Sequence, residues 1–321
     1  MADIYMHQRM AHDFIKHHPD FYDHDTLKNA TIVASQGPDP LYYRIFSKQR
    51  ARAMDIGNTF HDEKTAEFLT RMVQYVKTNY SKSLHAFLMG YVLHYTLDVQ
   101  IHPYVYHHVG VFDKNDPKTY HQRGLHLKFE RRMDKCLIEK DHAIKAHKYP
   151  LKKAVPFKKV PRAITKMLDG LAKDIYGIND VDTHYQKGYQ GMRFTIKHFI
   201  NDRSGVKKRM YRFLDRFSTY RDLFFEDLSF FYKKHLRYDY LNETNRTWHH
   251  PVTSEASKQS VLSLYGEALK KAFTITDTIN QYLNDGNDDR LTDLFENRSY
   301  NKGVDCDDDR PMKDFNIFTE N

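Results

Sequence analysis

From Ser83 to Pro103 the chain reads SLHAFLMGYVLHYTLDVQIHP, an apolar run without Lys, Arg or Glu. His94 and Asp98 stand four residues apart in it, and His102 follows four further on, just before Pro103. On a helix, a spacing of four leaves two residues about 40° and ~6 Å apart, so both can reach one ion. Ionisable groups on a buried helix are costly unless they are paired or ligated. Imidazole and carboxylate without thiolate form a donor set for zinc, with manganese or iron as alternatives. His102 lies about 12 Å along the axis from His94, and Pro103 is expected to push it off helical geometry. It therefore suits a second ion, with Asp98 between the two.

The spacing alone is weak evidence. With 20 His and 42 acidic residues among 321, about 2.6 His-x-x-x-Asp/Glu pairs arise by chance. Four occur: His94/Asp98, His126/Glu130, His198/Asp202 and His235/Asp239. The last two lie in basic or Lys/Arg/Tyr-rich sequence and read as solvated. His94/Asp98 is flanked by Val92, Leu93, Leu97 and Ile101 and reads as buried. A core histidine satisfied by its own carboxylate is the competing explanation.

The elements that must position these residues read as helices. Apolar periodicity predicts helices over 4–17, over 68–76 after His61-Asp62, over 83–103, over 122–140, and over 162–176, 184–201, 206–237 and 256–283. Gln36-Gly37-Pro38-Asp39-Pro40 is a turn signal that holds Asp39 between two prolines. A polar loop is expected from Pro103 to about Tyr120. No strand pattern persists, so the fold class is all-α. The organisation reads as a metal-binding helical region (1–145), a Lys/Pro-rich loop or linker (146–161), a helical C-terminal region packing on the first (162–283) and a polar, acidic, loosely packed tail (284–321).

Composition narrows the class. Two cysteines, Cys136 and Cys306, rule out a disulfide framework or a cysteine-rich zinc site and fit a reducing compartment. No secretory signal and no stretch long and apolar enough to span a membrane is seen, so a cytoplasmic location is expected. A net charge of +8 suits phosphate, nucleic acid or a lipid surface, although the basic residues are widely spread. No phosphate-cradling glycine loop and no Ser-His-Asp arrangement is visible.

Taken in order, the motifs are an N-terminal His, Gly37-Pro38-Asp39, His61-Asp62, His94-x-x-x-Asp98-x-x-x-His102-Pro103 and His126-x-x-x-Glu130. This order resembles the bacterial zinc-dependent phospholipase C family, related to the S1/P1 nucleases, whose all-helical fold clusters three zinc ions. The resemblance covers about residues 1–140 and is strongest at HYTLD (94–98) and HLKFE (126–130). It implies that Asp39, His61, His94 and Asp98 hold one zinc and that Asp98 reaches a second with His7. His102, His126 and Glu130 would hold the third, and Asp39 would correspond to the general base or water-orienting carboxylate. Two departures leave alternatives open. Secreted members use an N-terminal Trp as a ligand, whereas this chain starts MADIY and has its one Trp at 248, so His12 competes with His7. The family's third-site His follows the Pro, so His107, His108 and His121 compete with His102.

The resemblance implies a zinc-dependent hydrolase of phosphoesters, with a phospholipid or nucleic acid among the candidate substrates. An S1/P1-like nuclease or nucleotidase is the alternative enzyme. A non-catalytic helical protein stabilised by metal is the alternative of another class.

Overall fold

A computed structural model of the chain describes residues 3–45, 47–217, 224–232 and 236–319. Among them are ten α-helices and one pair of two-residue antiparallel strands, Trp248–His249 (β1) and Ala256–Ser257 (β2). The all-α expectation holds.

Helix α5 (Lys82–Val109) is the axis of the fold. Of its 28 residues 24 are buried, so it is enclosed on nearly every side rather than amphipathic. Ser81 caps its start by accepting the Leu84 N–H, and Gly110, at φ +66°, ends it. Around it pack α1 (Ile4–His17), α2 (Asp25–Ala34), α4 (Thr65–Thr78), α6 (Leu125–His142), α7 (Arg162–Tyr176) and α10 (Val261–Asp285). Gly90 lets α2 close on α5, since a Cβ there would lie 2.3 Å from the Thr31 carbonyl oxygen. The remaining helices are α3 (Arg50–Asp62), α8 (Val181–Thr195) and α9 (Val206–Leu214).

The period-3.6 signal is clear in α7. Ile164, Met167, Leu168, Leu171, Ala172 and Ile175 form its buried stripe. Its end is a left-handed cap in which Gly177 (φ +68°) donates to Lys173 O and Ile178 donates to Ala172 O.

Several boundaries differ from the sequence expectation. Pro103 does not end α5, which continues to Val109, so His102 keeps helical geometry and the expected loop begins only at Gly110. A proline disfavours helix before it, but dense packing around α5 outweighs that preference. His61 and Asp62 close a helix, α3, that lacked a strong apolar stripe and was not anticipated. The helix expected over 206–237 reduces to α9 and a short 3-10 turn at Phe225–Leu228, with residues 218–223 and 233–235 outside the described set. Helix α10 begins at Val261 behind its Ser260 cap, and the preceding residues form β2. Asp202 is buried rather than solvated and accepts the N–H groups of Gly205 and Lys208 at the start of α9. His235 lies outside the described residues.

The tail is not loosely packed either. Tyr300, Phe295 and Phe318 are buried in the core. Two carbonyls in the last turn of α5, which a helix cannot satisfy itself, accept from the tail: His107 O from Asn316 N (2.7 Å) and His108 O from Phe318 N (2.9 Å).

Candidate metal centre

Five elements bring the eight sequence candidates together. Helix α1 carries His7, the 3-10 turn Asp39–Tyr43 carries Asp39, and the end of α3 carries His61. The middle of α5 carries His94, Asp98 and His102, and the start of α6 carries His126 and Glu130.

Asp39, His61, His94 and Asp98 form one buried group whose potential ligand atoms all lie within 4.8 Å of one another. His102, His126 and Glu130 form a second group within the same limit. In the first, His94 Nε2 is 3.1 Å from Asp98 Oδ2 and His61 Nε2 is 3.3 Å from Asp39 Oδ1. His7 stands beside it, with Nε2 3.3 Å from Asp98 Oδ1 and 3.8 Å from Asp39 Oδ2. In the second, Glu130 Oε1 is 2.9 Å from His126 Nε2 and 3.4 Å from His102 Nε2. The competing histidines are placed elsewhere. His12 meets Gln8, His107 Nδ1 is 2.9 Å from Asp314 O, His108 Nδ1 is 3.0 Å from Tyr238 OH, and His121 is exposed.

The imidazoles are oriented from behind. His94 Nδ1 faces Ser35 O at 3.2 Å, His61 Nδ1 faces Gly57 O at 2.7 Å and His102 Nδ1 faces Tyr300 O at 2.7 Å. A ring that donates through Nδ1 to a carbonyl presents the Nε2 lone pair forward, as metal-binding histidines do. Among the described residues, Nε2 of His61, His94 and His102, both nitrogens of His7, and Asp39 Oδ1 have no hydrogen-bond partner although fully enclosed. So many orphaned buried atoms converging on carboxylates would be destabilising alone. The oxygen and nitrogen donor set fits zinc ions.

The protonation tendencies of the enclosed groups differ with their neighbours. Burial drives His94 down to about 3, against the pull of Asp98 and Asp39, so it is neutral at pH 7. Burial also works against charge on His7 and His61, but Asp98 and Asp39 outweigh it and raise both. Burial opposes charge on Asp98 as well, yet His94, His102 and His7 hold it well below the usual carboxylate range. Glu130 is likewise depressed, by His126 foremost, despite its burial.

Other residues shape the centre and carried little or no sequence signal. Gly37, at φ +47°, lies flat against His94, and a Cβ there would be 2.2 Å from His94 Cδ2. Tyr185 on α8 donates to Gly37 O at 3.0 Å. Gly188 and Gly191 of α8 let the Asp39 turn approach, since Cβ atoms there would meet Pro40 O at 2.2 Å and Tyr43 O at 2.1 Å. Tyr300 joins both groups through its backbone, donating to His61 O (2.7 Å) and accepting from His102. Asp134, two turns beyond His126, accepts the Tyr5 and Met6 N–H groups and so anchors the start of α1 ahead of His7. A separate cleft of about 1020 Å³, between α5, the β1–β2 segment and residues 293–310, contains none of the eight candidates.

An all-helical protein with two adjoining His/carboxylate groups, mostly buried, able to hold metal is thus defined. The sequence profile of the zinc dependent phospholipase C family matches residues 6–180, more than half of the chain, and the protein belongs to that family. No curated protein and no solved structure matches the chain.

Proposed function

We propose that the protein is a zinc-dependent hydrolase of phosphodiesters, with phospholipid as its substrate class. The observation that carries this reading is the convergence of enclosed, unpartnered imidazole nitrogens on Asp39, Asp98 and Glu130. Asp39, His61, His94 and Asp98 would hold one zinc, His7 and Asp98 a second, and His102, His126 and Glu130 a third. Bound zinc supplies Lewis-acid polarisation of phosphoryl oxygens and lowers the pKa of water.

The chain's own residues do the rest. Asp39 is held rigidly by its flanking prolines and by α8, so its carboxylate can orient the attacking water and accept its proton. The water oxygen attacks phosphorus, the bond from phosphorus to the alcohol oxygen breaks, and that oxygen takes up a proton. His126 is the most open of the eight, with its side chain 29 % exposed, and marks the edge where a phosphate enters. The depth of the other groups excludes bulk water and strengthens their electrostatic interactions.

Metal analysis tests this first: the purified protein should hold at least two zinc equivalents, and none would overturn the reading. His94→Ala and Asp98→Ala should each lose bound metal and reduce hydrolysis of p-nitrophenylphosphorylcholine to background. Unchanged activity in both would remove α5 from the site. Preference for single-stranded nucleic acid over phosphocholine esters would replace phospholipid with the nuclease alternative.

A further inference from the structure

Helix α9 is inside out. In a surface helix of a globular protein the apolar stripe faces the core, but here Val206, Met210, Phe213 and Leu214 are 62, 50, 56 and 44 % exposed. Phe217, one turn past the helix end, is 72 % exposed. At 100° per residue the four within the helix fall within an arc of about 100°. The opposite face is the attached one. Tyr211 is buried and stacks on Phe199, Lys208 Nζ lies 4.2 Å from the Tyr232 ring centre, and Asp215 accepts the N–H groups of Phe225 and Glu226. The orientation is therefore fixed by tertiary contacts, with the apolar arc outward.

Cations border that arc. Arg209 and Arg216 are exposed along one edge, and Lys207, whose ammonium donates to His198 O and Asn201 O, lies on the other. Phe194, 51 % exposed near the end of α8, and the exposed Lys197 extend the same composition. An apolar face rimmed by Lys and Arg is the pattern of a helix lying in the plane of a bilayer, with its rings among the acyl chains and its cations at the phosphates. A second copy of the chain fits poorly. A two-fold contact would bring the arginine rows against their own copies, over one nine-residue helix, well short of the roughly 800 Å² per partner of a stable interface.

The platform is tied to the candidate metal centre. Arg212 pairs with Glu226 at 2.6 Å, and Phe224, two residues earlier, packs against Gly124 and under Arg123. Gly124 caps the start of α6, which carries His126. We infer that α9 and Phe217 form a docking surface for anionic phospholipid bilayers, placed on the flank of the protein where His126 is open. The substrate role of the bilayer rests on the proposed phosphodiester hydrolysis, but the docking itself does not.

Sedimentation with vesicles of phosphatidylcholine alone, or with 30 % phosphatidylglycerol, tests it. Wild type should bind the anionic vesicles at least tenfold more tightly, and less so at high salt. Phe213→Ser/Phe217→Ser should lose at least tenfold. Arg209→Gln/Arg216→Gln should lose about 30-fold, at about fivefold per cation. Both variants should keep wild-type rates on soluble p-nitrophenylphosphorylcholine, which separates lost docking from lost folding. Equal binding to both vesicle types, or wild-type binding by the Phe variant, would overturn the inference. So would a wild-type dimer in sedimentation equilibrium that the Phe variant abolishes. Vesicle binding without turnover of any phosphoester would leave the docking standing and remove the proposed function.

Discussion

Replacing Gly37 by Ala tests whether the Asp39 turn and His94 form one fitted unit. A Cβ at Gly37 would stand 2.2, 2.4 and 2.6 Å from His94 Cδ2, Cγ and Nε2, against ordinary carbon contacts of about 3.5 Å or more. Relief requires a shift of more than 1 Å by the ring or the turn. The ring is enclosed and aimed by Ser35 O, and the turn is held by Tyr185, so neither yields freely. The φ of +47° adds about 1–2 kcal/mol of backbone strain for any residue with a Cβ. Metal–ligand distances tolerate about ±0.2 Å, so His94 cannot move that far and remain a ligand. Zinc affinity, read by competition with a chromophoric chelator, should fall at least as far as the roughly 10–100-fold that follows loss of an outer-shell partner. Gly170→Ala is the control, since a Cβ there meets nothing within 4 Å on α7, and it should stabilise the protein by roughly 0.5–1 kcal/mol. Zinc affinity in Gly37→Ala within twofold of wild type would refute the reasoning.

Gly188→Ala/Gly191→Ala should push α8 off the Asp39 turn. A stability loss of about 1–3 kcal/mol and a fall in kcat are expected, measured by urea melts and phosphodiester turnover. Asp134→Ala removes the acceptor for Tyr5 and Met6 N–H. It should cost at least about 1 kcal/mol by loss of a helix-end partner and weaken metal binding through His7, read by calorimetric titration. Burial pushes His108 down to about 3, whereas the unfolded chain protonates near 6.5. Between those values the unfolded state binds the extra proton, so stability falls with falling pH by about 1.4 kcal/mol per unit from this residue. His108→Gln should flatten the slope of wild type by that amount in melts from pH 7 to 4, and an unchanged slope would show His108 to be solvated.

Periodicity and residue type carried much of the protein. Helices α1 and α7 were legible to the residue because their apolar stripes are regular and their ends carry stop signals. The identity of α5 as the buried centre followed from the absence of Lys, Arg and Glu between Ser83 and Pro103. Of the ligand candidates, His94, Asp98 and His102 stand out in an apolar helix, whereas His7, Asp39, His61, His126 and Glu130 followed from the resemblance in motif order. The grouping of these residues came from the same resemblance, and it left His7 and His102 with competitors. His102 was set apart from α5 by Pro103, and only packing around the helix keeps it in register with Glu130 on α6. The choice among His7, His12, His107, His108 and His121 depends on where α1, α6 and the tail sit, a matter of contacts between residues far apart in sequence. The support for the centre lay equally out of reach. Tyr300 is about 200 positions from His102, and α8 touches the Asp39 turn through two glycines whose missing side chains leave no pattern. The outward face of α9 shows the same division. Its amphipathic sequence alone would place that stripe in the core, and only the contacts of Lys208, Tyr211 and Asp215 turn it toward solvent.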